Sequence, residues 1–433
     1  MTAPSAPANR APGPTRWWIL AFASLMLYGN YYVYDAIGPL ADHLQRLLGY
    51  SDTQIGTLNA IYSLPNIFMV LIGGVLVDRY GPARVGVWTT AICLLGAIVT
   101  AASGSFTMMA AGRLLFGLGS ETMIVAVTSA IGLWFLGRSL ALALALNISL
   151  GRAGSYTADV SPVWASSAYE SGWQAPLWIT VAFAALGFAA AVAYWIVDRR
   201  AAPGPHVASD ATAGRIVWRD LLRFDRSYWH IVVLCLLFYA VILPFRSTFA
   251  IKYFQHGYDL TLEAASLMNS YVYLAAIFAS PLFGWLADRY GRRTSLLLFG
   301  SLLLPITFGL LGIGGVDLWL ITVLIGISFS LVPALLWPSV AHVVEPARIG
   351  TAYGLMTLLQ NAGLTVSNYV VGRLNDAGGA NAANPEGYAA MLWYFGILAV
   401  VAVVFALLLR RREIGPQGHG LEMPEARGLR AEG

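Results

Sequence analysis

Gly74-Val-Leu-Val-Asp78-Arg79-Tyr-Gly81 returns 210 residues later as Gly284-Trp-Leu-Ala-Asp288-Arg289-Tyr-Gly291. Each copy closes an apolar run and leads into arginine: Arg84 after the first, Arg292 and Arg293 directly after the second. Two further echoes keep the register. Arg138 matches Arg348 at the same offset, and Arg152-Ala-Gly matches Asn361-Ala-Gly at an offset of 209. The chain is two halves built on one plan.

Apolar runs long enough to cross a bilayer surround these repeats. They fall at 17–41, 54–77, 85–104, 107–135, 139–165 and 173–197, then at 228–252, 262–287, 294–313, 317–342, 349–374 and 387–410. The expectation is an all-α membrane protein of twelve transmembrane helices in two pseudo-symmetric six-helix bundles, 17–197 and 228–410. Composition agrees: 58% of residues are hydrophobic and 11% charged, against roughly 25% charged in soluble domains. Residues 1–16 read as a disordered tail without a signal-peptide pattern, and 411–433 as a second tail. Residues 198–227 read as a polar linker whose end, 215–224, fits either a short amphipathic surface helix or plain linker. With the N-terminus in the cytoplasm, one side's loops and tails collect 20 of the 26 basic residues, the other only Arg46 and Lys252. That asymmetry places both termini in the cytoplasm. Cys93 and Cys235 sit singly in apolar runs, and the six histidines show no ligand spacing, so neither a disulfide framework nor a metal or cofactor is expected.

Two charges break the apolar pattern at one depth. Glu121 (GLGSETM) and Arg152 (SLGRAGS) lie 16 and 15 residues either side of Gly137, so an antiparallel pair of helices puts both about 23 Å from the turn. A charge at mid-bilayer costs roughly 2.5–3.5 kcal/mol on insertion scales and faces a partner or a polar cavity. A structural ion pair between neighbouring helices would explain both. The repeat argues for function instead: Asn361 stands opposite Arg152 in the second half and uncharged Ser330 or Leu331 opposite Glu121, whereas fold maintenance should act on both halves alike. An arginine that grips a carboxylate and a glutamate that takes an ammonium match a zwitterion of fixed length, an amino acid or short peptide. Residues at comparable depth that could complete the lining are Asn30, Tyr31, Tyr32, Tyr62, Asn66, Tyr239, Arg246, Tyr271, Tyr273, Ser330, Gln360 and Asn361, of which Tyr31, Tyr32, Arg246, Tyr271 and Asn361 are the preferred candidates. Proline breaks at Pro244, Pro281, Pro333 and Pro338 are candidate flexing points.

The twice-occurring GxLxDRxG, placed between the second and third helix of each half, resembles the signature of the major facilitator superfamily over residues 17–410. The second copy fits completely; in the first, Pro82 and Ala83 replace the usual basic pair. The resemblance implies a secondary transporter working by alternating access, with Gly74, Asp78, Arg79, Gly284, Asp288, Arg289 and Arg293 as a conformational latch. Arg113 in RLLFGLG resembles the family's fourth-helix motif, is grouped with that latch, and is expected to pair with Asp35 or Asp159. More narrowly, GNYYVYD (29–35), GLGSE (117–121) and LNISLGRAGS (146–155) resemble the branch containing the lysosomal dipeptide uniporter of animals. That likeness implies that Glu121 faces a peptide amine and Arg152 its carboxylate. A bacterial cytoplasmic membrane is the expected setting, with a monomer, no accessory subunit and no nucleic acid. Uniport and proton symport both stay open.

Other readings fit less well. Arg152 with Arg246 could hold a dicarboxylate-type organic anion, though Glu121 would oppose it. A proton-coupled drug antiporter could use Glu121 for cations, with Arg152 an awkward neighbour. A non-transporting scaffold would lack the complete second latch copy, and an enzyme would need a nucleophile–base pair or metal cluster that is not visible.

Overall fold

The structure is a computed structural model that describes residues 14–135, 139–201 and 224–423. The first half comprises α1 (Thr15–Asp35), α2 (Ile37–Leu48), α3 (Asp52–Tyr80), α4 (Pro82–Ala102), α5 (Phe106–Phe135), α6 (Leu140–Asp159), the short α7 (Ser161–Trp164) and α8 (Ser166–Glu170), and α9 (Gln174–Ala201). The second comprises α10 (Arg226–Pro244), a π-helical turn (Phe245–Phe249), α11 (Ala250–Gly257), α12 (Leu262–Tyr290), α13 (Arg293–Ile313), α14 (Leu318–Val343), α15 (Ile349–Gly378) and α16 (Ala389–Ile414). With α1–α2 and α10–α11 each crossing as one broken rod, the halves match span for span. In the first, α3 packs on α5, α1 on α6 and α9, and α4 on α5 and α9; in the second, α12 packs on α14, α10 on α15 and α16, and α13 on α14 and α16. The two bundles meet chiefly along α3–α15 and α6–α12. This is the expected twelve-helix architecture.

By length and composition alone, eight helices among the described residues qualify as spans, and α3 joins them as a pair bent by 55° between Val70 and Ile72. The three that fall short, α1, α6 and α15, carry Asn30 and Asp35, Asn147, Arg152 and Asp159, and Gln360, Asn361, Asn368, Asn375 and Asp376. Asp35, Arg152, Asp159 and Asp376 meet the opposite half, whereas Asn30 and Asn147 bond inside their own bundle, so low hydropathy here marks buried polar contacts rather than exposure to water.

Helix ends follow local chemistry. Ser51 and Gln54 form a reciprocal capping box at the start of α3, and Gly49 closes α2 at φ 71°. Close packing within the first half rests on α4 and α5: a Cβ at Gly96 would lie 2.5 Å from the Phe116 nitrogen, and one at Gly112 2.4 Å from Thr100 Oγ1.

The break at 136–138, the 1–13 tail and most of the 215–224 segment lie outside the described residues. The last helix runs past Arg410 to Ile414. Beyond it, the second tail folds back under the bundle: Arg293 N–H donates to the Leu421 carbonyl at 2.9 Å, and Ser295 N–H to the Glu422 carboxylate at 2.8 Å. Glu422 so caps α13, where the open N–H groups and the helix dipole favour an anion, and Leu421 is fully buried. Leu421→Ala should therefore lower the apparent melting temperature of the detergent-solubilised protein by several degrees, consistent with the ~2 kcal/mol or more typical of emptying a buried leucine site. Met423→Ala, exposed beside it, should not.

Candidate functional site

Glu121 and Arg152 stand near the middle of α5 and α6, in one half. Glu121 is half-buried and makes no hydrogen bond or ion pair with any described residue. Arg152 reaches across to the other half. Its Nη1 donates to the Ala276 carbonyl at 3.1 Å and to the Ser280 hydroxyl, both on α12, and its guanidinium lies 5.3 Å from the Phe329 ring centre on α14. All three partners are neutral. Tyr31 lies within electrostatic reach of both Glu121 and Arg152, and Tyr239, whose hydroxyl accepts from Trp337 Nε1 at 3.2 Å, sits beside Arg152 and Tyr31. One acid, one base and two tyrosines thus stand at mid-depth, with Tyr31 in reach of both charges. The acid and base are not spent on each other.

Other expected lining residues go elsewhere. Tyr32 stacks on Phe183 of α9 at 3.8 Å between ring centres and packs inside its own bundle. Asn361 turns its amide back on its own helix, donating to the Thr357 carbonyl at 3.1 Å. Tyr271 is half-buried on α12. Asn30 and Tyr62 both bond Ser120, each at 2.9 Å. Ser330 bonds the Gly326 carbonyl. Arg246 lies some 20 residues into its span, too far from mid-depth to line the centre.

Arg246 belongs to a second polar cluster, at the face opposite the termini. Its Nη1 lies 3.2 Å from Asp35, and its Nη2 lies 2.9 and 3.1 Å from the two oxygens of Asp159. The π-helical turn after Pro244 gives the backbone the extra residue that aims this side chain across the interface. Around it, Lys252 pairs with Asp52, and His256 bridges Asp42 at 3.1 Å and Tyr388 at 2.7 Å. Asn59 Nδ2 donates to Thr248 Oγ1 at 2.7 Å. Asp376 accepts the Asp52 and Thr53 N–H groups at 2.7 and 2.9 Å, so one half's carboxylate caps a helix of the other. Beneath these bonds α3 and α15 touch backbone to backbone: a Cβ at Gly56 would lie 2.2 Å from the Asn368 carbonyl oxygen, and one at Gly372 2.4 Å from that of Asp52. All of these cross-half bonds lie between mid-depth and the far face, which they seal.

Arg113 corrects another expectation. No acid among the described residues pairs with it; it donates to the Val33 carbonyl at 2.9 Å, Tyr34 at 3.2 Å, Leu58 at 3.3 Å and the Asn59 side chain. It rivets α1, α3 and α5 together and orients the Asn59 that reaches Thr248. The acids it was expected to hold are taken by Arg246. In the latch, Asp78, Arg79 and Arg289 are exposed toward the termini face. Gly73 makes a close approach to Thr122, where an added Cβ would lie 3.1 Å from the Thr122 Cα, and Gly284 faces open space. Arg293 is buried at the start of α13, and the Asp288 side chain lies outside the description. The sealed cluster was missed because its members are scattered over helix ends; the chain's single lysine, in an otherwise apolar span, was the available signal.

Comparison with known proteins bears on this arrangement. The family model described as Major Facilitator Superfamily matches residues 20–368 and 245–430. The human protein named lysosomal dipeptide transporter MFSD1 is 30% identical over 84% of this chain and 81% of its own length. The probable sulfoacetate transporter SauU of Cupriavidus necator is 24% identical over 82% and 85%. Among solved structures, a bacterial homologue of the human lysosomal transporter Spinster superposes with a TM-score of 0.75 at 16% identity, covering 93% of this chain and 98% of that one. The nucleoside transporter NupG gives 0.70 at 14%, covering 91% and 98%.

Two outcomes follow from the geometry. Arg113→Lys, which cannot reproduce the fork of four bonds, should lower thermal stability while leaving ligand preference unchanged in a thermal-shift panel. Gly372→Leu places a side chain where the α3 backbone lies and should prevent the far face from sealing. Labelling of a cysteine at buried Ser63 by a membrane-impermeant thiol reagent, applied from the far face in a background lacking Cys93 and Cys235, should then rise several-fold.

Proposed function

The chain belongs to the major facilitator superfamily, and on that footing we propose that it carries dipeptides, or zwitterions of similar length, by alternating access through the space between Glu121 and Arg152. The observation that carries the reading is that these two mid-membrane charges have no ionic partner among the described residues. A structural ion pair would have brought them together; here no described residue bonds the carboxylate, and the guanidinium rests on neutral acceptors. Their net charge is zero, which suits a ligand with one charge of each sign. The Arg152 fork takes the ligand carboxylate in place of Ser280 and the Ala276 carbonyl. Glu121 takes the ammonium, and Tyr31, between them, offers a hydroxyl to the peptide unit. The relationship to a dipeptide transporter over most of both chains supports the same reading.

Arginine distribution supports a cytoplasmic location for the face that carries the termini. The sealed far face is then external, and this conformation faces inward with the latch residues Asp78, Arg79 and Arg289 disengaged. In the opposite state the external cluster parts and the two Asp-Arg loops close the cytoplasmic side. A second reading, an organic-anion carrier, is favoured by the relationship to a sulfoacetate transporter. Its dianion form is weakened because Arg246 is already bound by two carboxylates away from the centre.

Thermal stabilisation of the purified protein against dipeptides, their N-acetylated and C-amidated forms, free amino acids, sulfonates and dicarboxylates separates the readings. Dipeptides should stabilise, and blocking either end should abolish the effect. Glu121→Gln and Arg152→Ala should each weaken the apparent affinity roughly 10- to 100-fold, as expected for one charge-assisted bond of about 1.5–3 kcal/mol. Stabilisation by sulfonates or dicarboxylates alone, surviving Glu121→Gln, would replace the dipeptide reading with the anion one.

A further inference from the structure

Glu121 and Arg152 sit on α5 and α6, and each of these helices packs more on α1 than on the other. Consecutive residues of α1 turn to its three neighbours. Toward α5, Asn30 Nδ2 donates to the Ser120 hydroxyl at 2.9 Å, and Ser120 is the residue before Glu121. Tyr62 of α3 bonds the same hydroxyl at 2.9 Å. Toward α6, the Tyr28 hydroxyl donates to Thr157 Oγ1 at 2.8 Å, and Asn147 Nδ2 donates to Ser24 Oγ at 3.2 Å. These two bonds stand five residues after and five before Arg152. Between them the two helices close up on glycine. A Cβ at Gly154 would lie 2.2 Å from the Tyr28 carbonyl oxygen, and one at Gly151 2.9 Å from Leu27 Cδ2 and 3.1 Å from Tyr31 Cδ2. Behind α1, α9 blocks any retreat: a Cβ at Gly29 would lie 2.5 Å from the Phe183 carbonyl oxygen, and Tyr32 stacks on the Phe183 ring. Tyr31 alone of this run stands within electrostatic reach of both charges.

We propose that α1, through Tyr28 to Tyr32, is the spacer that sets the separation of Glu121 and Arg152, and with it the backbone length of the zwitterion the site accepts. Ser120 and Gly154 are its positioning residues on the two sides. The proposal rests on the reading of Glu121 and Arg152 as the ligand's two anchors. A ligand held at both ends makes both charge-assisted bonds only near one length. A free amino acid falls short of a dipeptide, and a tripeptide exceeds it, by roughly 3.3–3.6 Å of extended chain. A spacing set by backbone contact holds against such a misfit, because a backbone has no rotamer to change. Gly154 is where that spacing can be altered by a single atom. Non-bonded atoms settle at roughly 3.5–4.0 Å, so a methyl there moves α6, and Arg152 with it, back by ~1 Å or more. The Asn30–Ser120 bond meanwhile keeps Glu121 in place. The long Arg152 side chain absorbs part of the displacement, so the change is read as a ratio between ligands of different length. Asn30 and Tyr62, expected as lining residues, thus act behind the site by holding the helix turn that carries Glu121.

Thermal-shift titrations of the purified full chain give apparent affinities for alanyl-alanine, for tri-alanine and for β-alanyl-alanine, which is longer than the first by one backbone carbon at a bond of ~1.5 Å. Gly154→Ala should raise the affinity for β-alanyl-alanine relative to alanyl-alanine several-fold. Gly151→Ala, whose added methyl meets only side-chain atoms, should move the ratio the same way by less, and it carries the test should Gly154→Ala fail to fold. Ser120→Ala, which unties α5 from α1, should bring the affinities for the three peptides closer together. Gly112→Ala, which crowds α4 against α5 away from α1, should lower the melting temperature and leave the ratio where it was. A ratio unmoved in the Gly154, Gly151 and Ser120 variants, or moved as far by Gly112→Ala, would overturn the spacer. Glu121→Gln and Arg152→Ala report on the premise separately. Should both leave alanyl-alanine binding intact, the reading of the site falls and the spacer with it. Should both weaken that binding while the length ratio stays fixed in the glycine and serine variants, the spacer alone falls.

Discussion

Charge is divided between the halves at the sealed face, and the rest of the structure depends on that division. Asp35, Asp42, Asp52 and Asp159 belong to the first half; Arg246, Lys252 and His256 belong to the second. Closing this face is therefore the formation of ion pairs across an interface, and opening it is their dissociation. A buried ion pair adds little net stability, because desolvation of both charges offsets their attraction, while one stripped of its partner is costly. Such a seal can part without a large energetic penalty only if each half finds water or a proton as it opens. A seal of apolar side chains would hold more firmly and offer no such exchange. Asp376 departs from the pattern, yet it accepts backbone N–H groups at a helix start, where the opposing charge is the helix dipole itself.

The arginines sort by what they touch. Arg113 bonds carbonyls and an amide and fixes three helices of one bundle to each other. Arg246 bonds carboxylates of the opposite bundle and fixes the halves to each other. Arg152 also crosses between the halves, but its partners are neutral and replaceable. A guanidinium that already holds carboxylates has no reason to exchange them for a ligand's. One resting on a carbonyl and a hydroxyl gains a charge-assisted pair when a carboxylate arrives. That difference, more than depth in the membrane, separates the residue expected to bind from those that build.

What the sequence revealed follows from which forces are local. The apolar runs, the repeat and the capping signals read directly, because each depends on neighbours a few residues away. Glu121 and Arg152 were legible for a related reason: a charge in an apolar run carries a cost visible without knowing its surroundings. Partner choice was not legible. Arg113 and Arg246 both lie in apolar spans near the same face, and both could have held Asp35 and Asp159; a π-helical turn after Pro244 settled which did. Tyr32 and Asn361 sit at the right depth but on the wrong faces of their helices, a rotation that broken or bent rods such as α1–α2 and α3 make hard to compute from spacing. The folded-back tail was invisible because its anchor, Glu422 on the start of α13, joins segments 127 residues apart.

One helix ties the centre to the seal. Asn269, Tyr273, Ala276 and Ser280 follow one another at spacings of four, three and four along α12, which places them on a single face. At the external end of this stripe Asn269 bonds the Arg246 carbonyl, and Tyr273 lies under its guanidinium and bonds Asp35. At the inner end the Ala276 carbonyl and Ser280 hydroxyl hold Arg152. A ligand carboxylate that takes Arg152 releases the inner end of the same rigid element whose outer end rests on the ion pairs. Helices transmit displacement along their axes because every backbone group is already bonded within the turn. The coupling between an occupied centre and a parted seal therefore needs no chain of small side-chain shifts. On the proposed reading it would run through α12 itself, which the Arg152 bonds at one end and the Tyr273–Asp35 bond at the other both join to the first half.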